Sequence, residues 1–549
     1  MNSFKEIFES RYTWIEGFMR NVRRYANRNA MIDPATNREW TYREVNEDVN
    51  RLCNALIDAG IKKGDVVMIQ MLNSPEFVFT YIACHKLQCV CCPVNFRLST
   101  GEMAWDIDDS RPKFIIVCSS KCDSILESLV LTKHKPIKVL GVIPQGESVT
   151  GHGGEVISYI DFTKDASYEE PLITTPYNIY DETVRLYTSG TTGRPKGVCI
   201  TSINEVLSAH DIMIHFPLNY TDITMNTTPW FHRGGLHCAG PCPALYAGAS
   251  MVIMGKFDAL QTLKFVYRYK ITFIVGVPTV LEELADRQEQ SGYDLSALRG
   301  IVTMGSPLQR AACIRYQQVL TPNIFNGYGT TETLWNTFLR PFDLPDNAGS
   351  AGRSCIDDDV RVVKIYEDRR AEPEDLAAQD GFDVGEVIIS SPAKSPYLYH
   401  NNENETDRKY YKDFIYTNDL ATWDENGYIT IVGRKDDMII SSGENIYPTE
   451  VEAVLNLHSK VKDCIVTSVP DKIRGQMVTA YIVPNEDTDI CAEELDEYCK
   501  QSLELANFKR PRYYRFVKQI PFNATGKKLH VKIKETALQD WKNGFLEKV

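Results

Sequence analysis

Helical and strand periods alternate along the first half of the chain, which restricts that half to helices laid over a largely parallel sheet. Thr41 and Glu44 form a capping-box pair, Val45, Val49, Leu52 and Leu56 recur at helical spacing, and Gly60 stops the run. A short apolar strand stands at 66–69, after Lys63-Gly64-Asp65, and another helix is predicted after Pro75. Strand patterns return at 271–277, 300–304 and 323–328. The last part reads differently. A hairpin turning at Asp424-Glu425-Asn426-Gly427 leads into the charged run Val432-Gly433-Arg434-Lys435-Asp436-Asp437. Thr449 and Glu452 read as a second capping box, with Val451, Val454 and Leu455 on one helical face, and strands are predicted at 464–469, 479–483 and 512–517. A chain of 549 residues exceeds one typical core. The expected fold class is α/β, with a large N-terminal domain of helix-covered sheets over 1–434 and a small C-terminal α+β domain over 435–549.

The net charge of −13 argues against nonspecific binding to nucleic acid or to an anionic membrane surface. Residues 1–20 mix Lys5, Glu6, Glu9, Arg11 and Glu16 with aromatics and lack the apolar stretch of a signal peptide. The most apolar stretch, 77–96, is broken by Cys, His, Lys, Gln and Pro, so no integral membrane segment is expected and the default setting is cytoplasmic. Fifteen cysteines then read as reduced thiols. Cys84, His85, Cys89, Cys91 and Cys92 lack the spacing of paired CxxC ligands, and Cys89 to Val94 reads as a buried strand, so packing is preferred to a metal site.

The densest chemical signal is Leu186-Tyr187-Thr188-Ser189-Gly190-Thr191-Thr192-Gly193-Arg194-Pro195-Lys196-Gly197-Val198. An apolar strand feeds glycines, hydroxyls and two cations, and apolar residues resume at once. Glycine lets backbone N–H groups approach an anion, hydroxyls add donors, and Arg194 and Lys196 add charge, a set suited to polyphosphate. No Gly-Lys-Ser/Thr ending stands at Walker A spacing, which disfavours a P-loop ATPase.

This loop resembles the phosphate loop of the adenylate-forming superfamily, which comprises acyl- and aryl-CoA synthetases, peptide-synthetase adenylation domains and luciferases. Further motifs of that family stand downstream in order, and the resemblance spans nearly the whole chain. It implies ATP and Mg2+ binding and a thiol acceptor, most like the coenzyme A of an acyl- or aryl-CoA ligase. In Asn326-Gly327-Tyr328-Gly329-Thr330-Thr331-Glu332 it implies that Tyr328 stacks on adenine, Thr331 contacts the α-phosphate and Glu332 binds magnesium. A carboxylate suits a hard cation on independent grounds. Gly305-Ser306-Pro307 resembles the turn beside adenine, with Ser306 where Ala is usual. Tyr416-Thr417-Asn418-Asp419 and Arg434 resemble the ribose- and phosphate-binding pair.

The resemblance further implies a hinge at Asp436, which makes the small domain mobile, and a pantetheine tunnel lined by Ser442, Gly443 and Glu444. Pro521-Phe522-Asn523-Ala524-Thr525-Gly526-Lys527 resembles the C-terminal lysine loop, with Asn523-Ala524 in place of Thr-Pro, and implies that Lys527 is catalytic. Trp230-Phe231-His232-Arg233-Gly234-Gly235 matches the aromatic segment of the acyl site, with His232 as a gate. Gly276, Pro278, Thr279, Met304, Gly327 and Trp335 are further lining candidates, and two tryptophans favour a compact aryl, alicyclic or short-to-medium acid. Catalysis is thus expected from Thr188, Glu332, Lys527 and His232. The partners are a small carboxylate, ATP and CoA, and an assembly of identical copies is compatible with this reading. The alternative is a free-standing enzyme that loads a carrier-protein thiol.

Overall fold

The computed structural model describes residues 3–188, 195–366, 368–442, 444–486, 488–522 and 527–549. The predicted alternation appears as two large sheets. Among the described residues, one has eight strands, in the order Lys196–Thr201, Glu182–Thr188, Val90–Pro93, Val66–Gln70, Phe114–Cys118, Lys138–Val142, Gly154–Ser158 and Ser148–Gly151. Its interior pairings are parallel, and the two edge pairings are antiparallel. The other has nine strands, among them Ile223–Asn226, Phe273–Gly276, Gly300–Met304 and Ile324–Tyr328, which run parallel as neighbours.

The helix Pro75–Leu87 shows why the sheets stack. Residues 77–87 are all buried, so it is covered on every side. Its Phe79 ring meets Trp40 of the nine-stranded sheet, and its side chains share one core with Val67, Ile69 and Cys91 of the eight-stranded sheet. The capping box at Thr41 and Glu44 forms as predicted and opens the helix Tyr42–Asp58. Cys84, Cys89, Cys91 and Cys92 are buried thiols, and His85 bonds Glu205.

A third, antiparallel sheet joins Asp359–Val363, Gly385–Ser390, Phe414–Trp423, Tyr410–Tyr411 and Ile429–Arg434. Only its last hairpin was expected. The C-terminal part forms its own sheet around Val461–Asp471 and Gly475–Pro484, covered by the helices Pro448–Leu455, Ala492–Gln501 and His530–Asn543. The fold is therefore a large helix-covered N-terminal domain and, after it, a small α+β domain. The expected capping box at Thr449 and Glu452 does not form. Pro448 at the first helical position sets the start, Thr449 donates to the Val432 carbonyl, and Glu452 accepts from the Val466 amide at 2.8 Å. Among the described residues no helix is long and apolar enough to cross a membrane.

Candidate active site

Parallel strands bring their carboxyl ends, and the loops that leave them, to one edge of a sheet, and the crevice there is where such sheets bind ligands. Gly276 pairs with Thr303, and Met304 pairs with Gly327, so three neighbouring strands end side by side. Gly305 comes next at φ +91°, and Gly305, Ser306 and Pro307 lie at the surface or half-buried. Pro278 opens the next helix, Pro278–Ser291. Asn326 is buried and donates to the Ser350 carbonyl at 3.2 Å. Gly329 is required by space, because a Cβ there would lie 2.0 Å from the Leu334 carbonyl oxygen.

Tyr328 ends the strand and donates to Asp419 Oδ2 at 2.8 Å. Asp419 pairs across the hairpin with Arg434, whose Nε stands 3.5 Å from Asp419 Oδ1. Asn418 sits at φ +63°, a left-handed conformation that asparagine tolerates. The third sheet thus carries the expected ribose pair to the expected adenine residue.

Glu332 is buried and accepts from the Tyr399 hydroxyl. Burial pushes its carboxyl up, but the Lys409 cation and the Tyr399 hydroxyl outweigh that and hold it below the ordinary carboxylate value. An ionised, oxygen-only donor fits magnesium, whose other positions are normally taken by water and phosphate oxygens. Thr330 and Thr333 brace the turn through their hydroxyls at 3.1 Å.

Lys196 lies opposite Thr188 in the strand pair on either side of the expected phosphate loop. Ser189, Gly190, Thr191, Thr192 and Gly193 lie outside the described residues, as does Gly443. Lys196 pairs with the Glu405 carboxylate, which also takes Arg408 at 2.8 Å, and its ammonium stands 5.6 Å from the Tyr399 ring centre. Tyr399, Glu405 and Lys409 carried no motif. Glu405 and Lys409 are four residues apart on the helix Glu403–Lys409, a spacing that puts both on one face.

In the acyl segment, a Cβ on Gly234 would meet Met304 Sδ at 3.1 Å, so the segment lies against the strand ends. Trp230 is buried against Phe77 with ring centres 5.4 Å apart. His232 is half-hidden behind Phe231 at 4.2 Å, and burial lowers its imidazole to about 4, so it is neutral at ordinary pH. Trp335 packs against the Gly327 position and belongs to the buried cluster on which Met304 rests. Its ring packs on Phe338 at 4.5 Å, and its indole N–H donates to Asp211.

Ser442 has φ +56° and its amide donates to the Arg474 carbonyl, while Glu444 is exposed on a short strand. Asp436 is exposed in the turn after Arg434. Lys527 is exposed. Lys528 beside it bonds the Cys464 carbonyl at 2.5 Å and pairs with Asp463 at 2.8 Å.

The family model described as AMP-binding enzyme matches residues 18–396, and that of the AMP-binding enzyme C-terminal domain matches 450–527. The chain belongs to the AMP-binding enzyme family. It is an adenylate-forming enzyme of the acyl- or aryl-CoA ligase type. Among members of this family, 2-succinylbenzoate–CoA ligase of Geobacillus sp. (strain WCH70) is 28% identical over 90% of this chain and 92% of its own length. Feruloyl-CoA synthase of Amycolatopsis sp is 29% identical over 89% and 92%. The anthranilate CoA ligase AuaEII, solved with anthranoyl-AMP, superposes with a TM-score of 0.85 at 25% identity, covering 97% of this chain and 98% of that one. The o-succinylbenzoate CoA synthetase MenE of Bacillus subtilis, solved with ATP and magnesium, gives 0.79 at 26% identity, covering 94% and 99%.

Proposed function

We propose that this enzyme joins a compact carboxylic acid, an aryl acid first among alicyclic and short-to-medium ones, to coenzyme A through an acyl-adenylate. The observation that carries the reading is convergence: Tyr328, Asp419 and Arg434 are linked in one chain of contacts, Lys409 lies in the field of both Asp419 and Glu332, and Gly234 of the acyl segment lies against Met304 at the neighbouring strand end. The acyl wall is apolar and its histidine neutral, which suits an uncharged ring or short chain. Relatives whose names specify succinylbenzoate, ferulate and anthranilate support the same choice.

In the first step a substrate carboxylate oxygen bonds to the α-phosphorus of ATP, and the bond to the pyrophosphate leaving group breaks. Tyr328 and Asp419 hold adenine and ribose, Arg434 and the residues from Thr188 to Lys196 take the phosphates, and Lys527 stabilises the charge that develops. Magnesium, when bound at Glu332, supplies neutralisation of phosphate charge. Positioning and electrostatics carry the rate. In the second step the CoA sulfur bonds to the acyl carbon, AMP leaves with the electron pair, and the thiol proton passes to solvent. Residues 435–549 would rotate about Asp436 against 1–434, withdrawing Lys527 and bringing Ser442, Gly443 and Glu444 to the thiol path, with His232 opening it. The exposed polar turn at Asp436 supports that hinge. Fifteen cysteines that all stand as thiols support a cytoplasmic setting.

The test supplies ATP, magnesium, CoA and a panel of benzoate, anthranilate, cyclohexanecarboxylate, butyrate, hexanoate and palmitate, with products read by mass. Acyl-CoA and AMP from a compact acid are expected. Acyl-adenylate without thioester would move the reading to a carrier-loading enzyme, and preference for palmitate would overturn the pocket.

A further inference from the structure

Arg233 stands next to His232 in the acyl segment, and its side chain is only 3% exposed. Its guanidinium reaches three backbone carbonyls. Nη1 donates to Thr331 O at 2.9 Å and to Glu332 O at 3.0 Å, and Nη2 donates to Lys394 O at 2.6 Å. No carboxylate bonds it among the described residues, and its Nε has no hydrogen-bond partner. Burial lowers it to about 10, so it remains a cation near neutrality. A buried cation carries a heavy desolvation cost, and a neutral donor could satisfy carbonyls more cheaply. What arginine adds is a rigid fork that spans several acceptors at once, together with positive charge under a turn meant for anions.

The turn in question is Thr331-Glu332. We propose that Arg233 is a positioning residue that clamps the backbone of this turn and so fixes the Glu332 carboxylate at the metal site, tying it to the acyl segment one residue from His232. The clamp acts from behind. Arg233 holds the carbonyls, Tyr399 holds the carboxylate from the other side, and the residue between them has little freedom left. The segment at Lys394, the third anchor, is itself buried and braced by the Lys394 ammonium on Asp358 at 2.6 Å. The proposal rests on the reading of Glu332 as the magnesium ligand.

Arg233→Lys keeps the charge and loses the fork. Binding of α,β-methylene-ATP would be titrated calorimetrically with magnesium and with EDTA, for the wild type and the variant. The wild type should gain affinity with magnesium, and the variant should lose most of that gain while its magnesium-free affinity stays unchanged. In kinetics, pyrophosphate exchange should fall by about 100-fold, as expected for a misplaced group, whereas thioester formation from supplied acyl-adenylate should stay near the wild-type rate. A variant that retains the full magnesium gain overturns this proposal alone. A wild type with no magnesium gain overturns the Glu332 reading and this proposal with it. Parallel loss of both half-reactions marks a merely structural role. Arg233→Gln, with an amide in the same place, provides a second variant with the same expected split, and failure of both to fold would overturn the assignment.

Discussion

The Tyr328 hydroxyl donates to the Asp419 carboxylate at 2.8 Å, linking a strand end of the nine-stranded sheet to a hairpin of the third sheet. The two residues are 91 positions apart, and their contact joins the two halves of the proposed nucleoside site. Asp419→Asn removes a charged acceptor, worth about 1.5–3 kcal/mol, so the KM for ATP should rise roughly 10- to 100-fold. Tyr328→Phe keeps the ring and should cost less. Steady-state kinetics with ATP varied checks both, and an equal effect of the two would count against stacking as the tyrosine's main role.

Glu405 holds Lys196 where a phosphate is expected, so the two anions compete for one cation. Glu405→Gln should tighten ATP binding by about tenfold, equivalent to about 1.4 kcal/mol, while lowering thermal stability through loss of a buried pair. Calorimetric titration and a melting curve check this. Weaker ATP binding would show that Glu405 positions Lys196 rather than competing for it.

His232 titrates at about 4 in the folded protein against 6.5 ordinarily. Between those values the unfolded chain binds a proton that the folded chain refuses. Stability from this residue is therefore full above its ordinary value and falls as pH drops through the window. At about pH 5 the loss is about 2 kcal/mol. Urea unfolding near pH 7.5 and pH 5 should show a smaller acid loss for His232→Gln than for the wild type, and identical losses would refute the neutral, buried imidazole.

Lys527→Ala should reduce adenylation by roughly 10²–10³, the usual effect of removing a charge-stabilising donor. Thioester formation from supplied acyl-adenylate should change little. Single-turnover measurement of each half-reaction separates the two, and parallel loss would overturn a role specific to the first step.

Much of the site was legible because its residues stand in short runs. Residues 326–332 carry a strand end, a tight glycine and a carboxylate within seven positions, and the chain itself keeps them together. Tyr399 and Lys409 were not legible. Each acts on Glu332 across more than 65 positions, and neither has neighbours in sequence that announce it. Trp335 lies close to the motif in sequence and packs against the Gly327 position, and its indole N–H donates to Asp211 far away along the chain. The second capping box failed for a local reason, since Pro448 starts the helix ahead of the residue expected to cap it.

By itself the sequence determined the alternation that stacks two sheets, the glycine- and hydroxyl-rich run ending in Lys196 and the order of the motifs along the chain. These depend on periodicity and on spacing along the chain, which local backbone preference reads directly. Only the tertiary structure decided that Asp419 meets Tyr328, that Glu405 claims Lys196 and that Arg233 grips the turn under Glu332. Those contacts join strands, helices and turns that lie far apart along the chain. They exist because burial forces each charged or polar side chain to find a partner in space, whatever its distance in sequence.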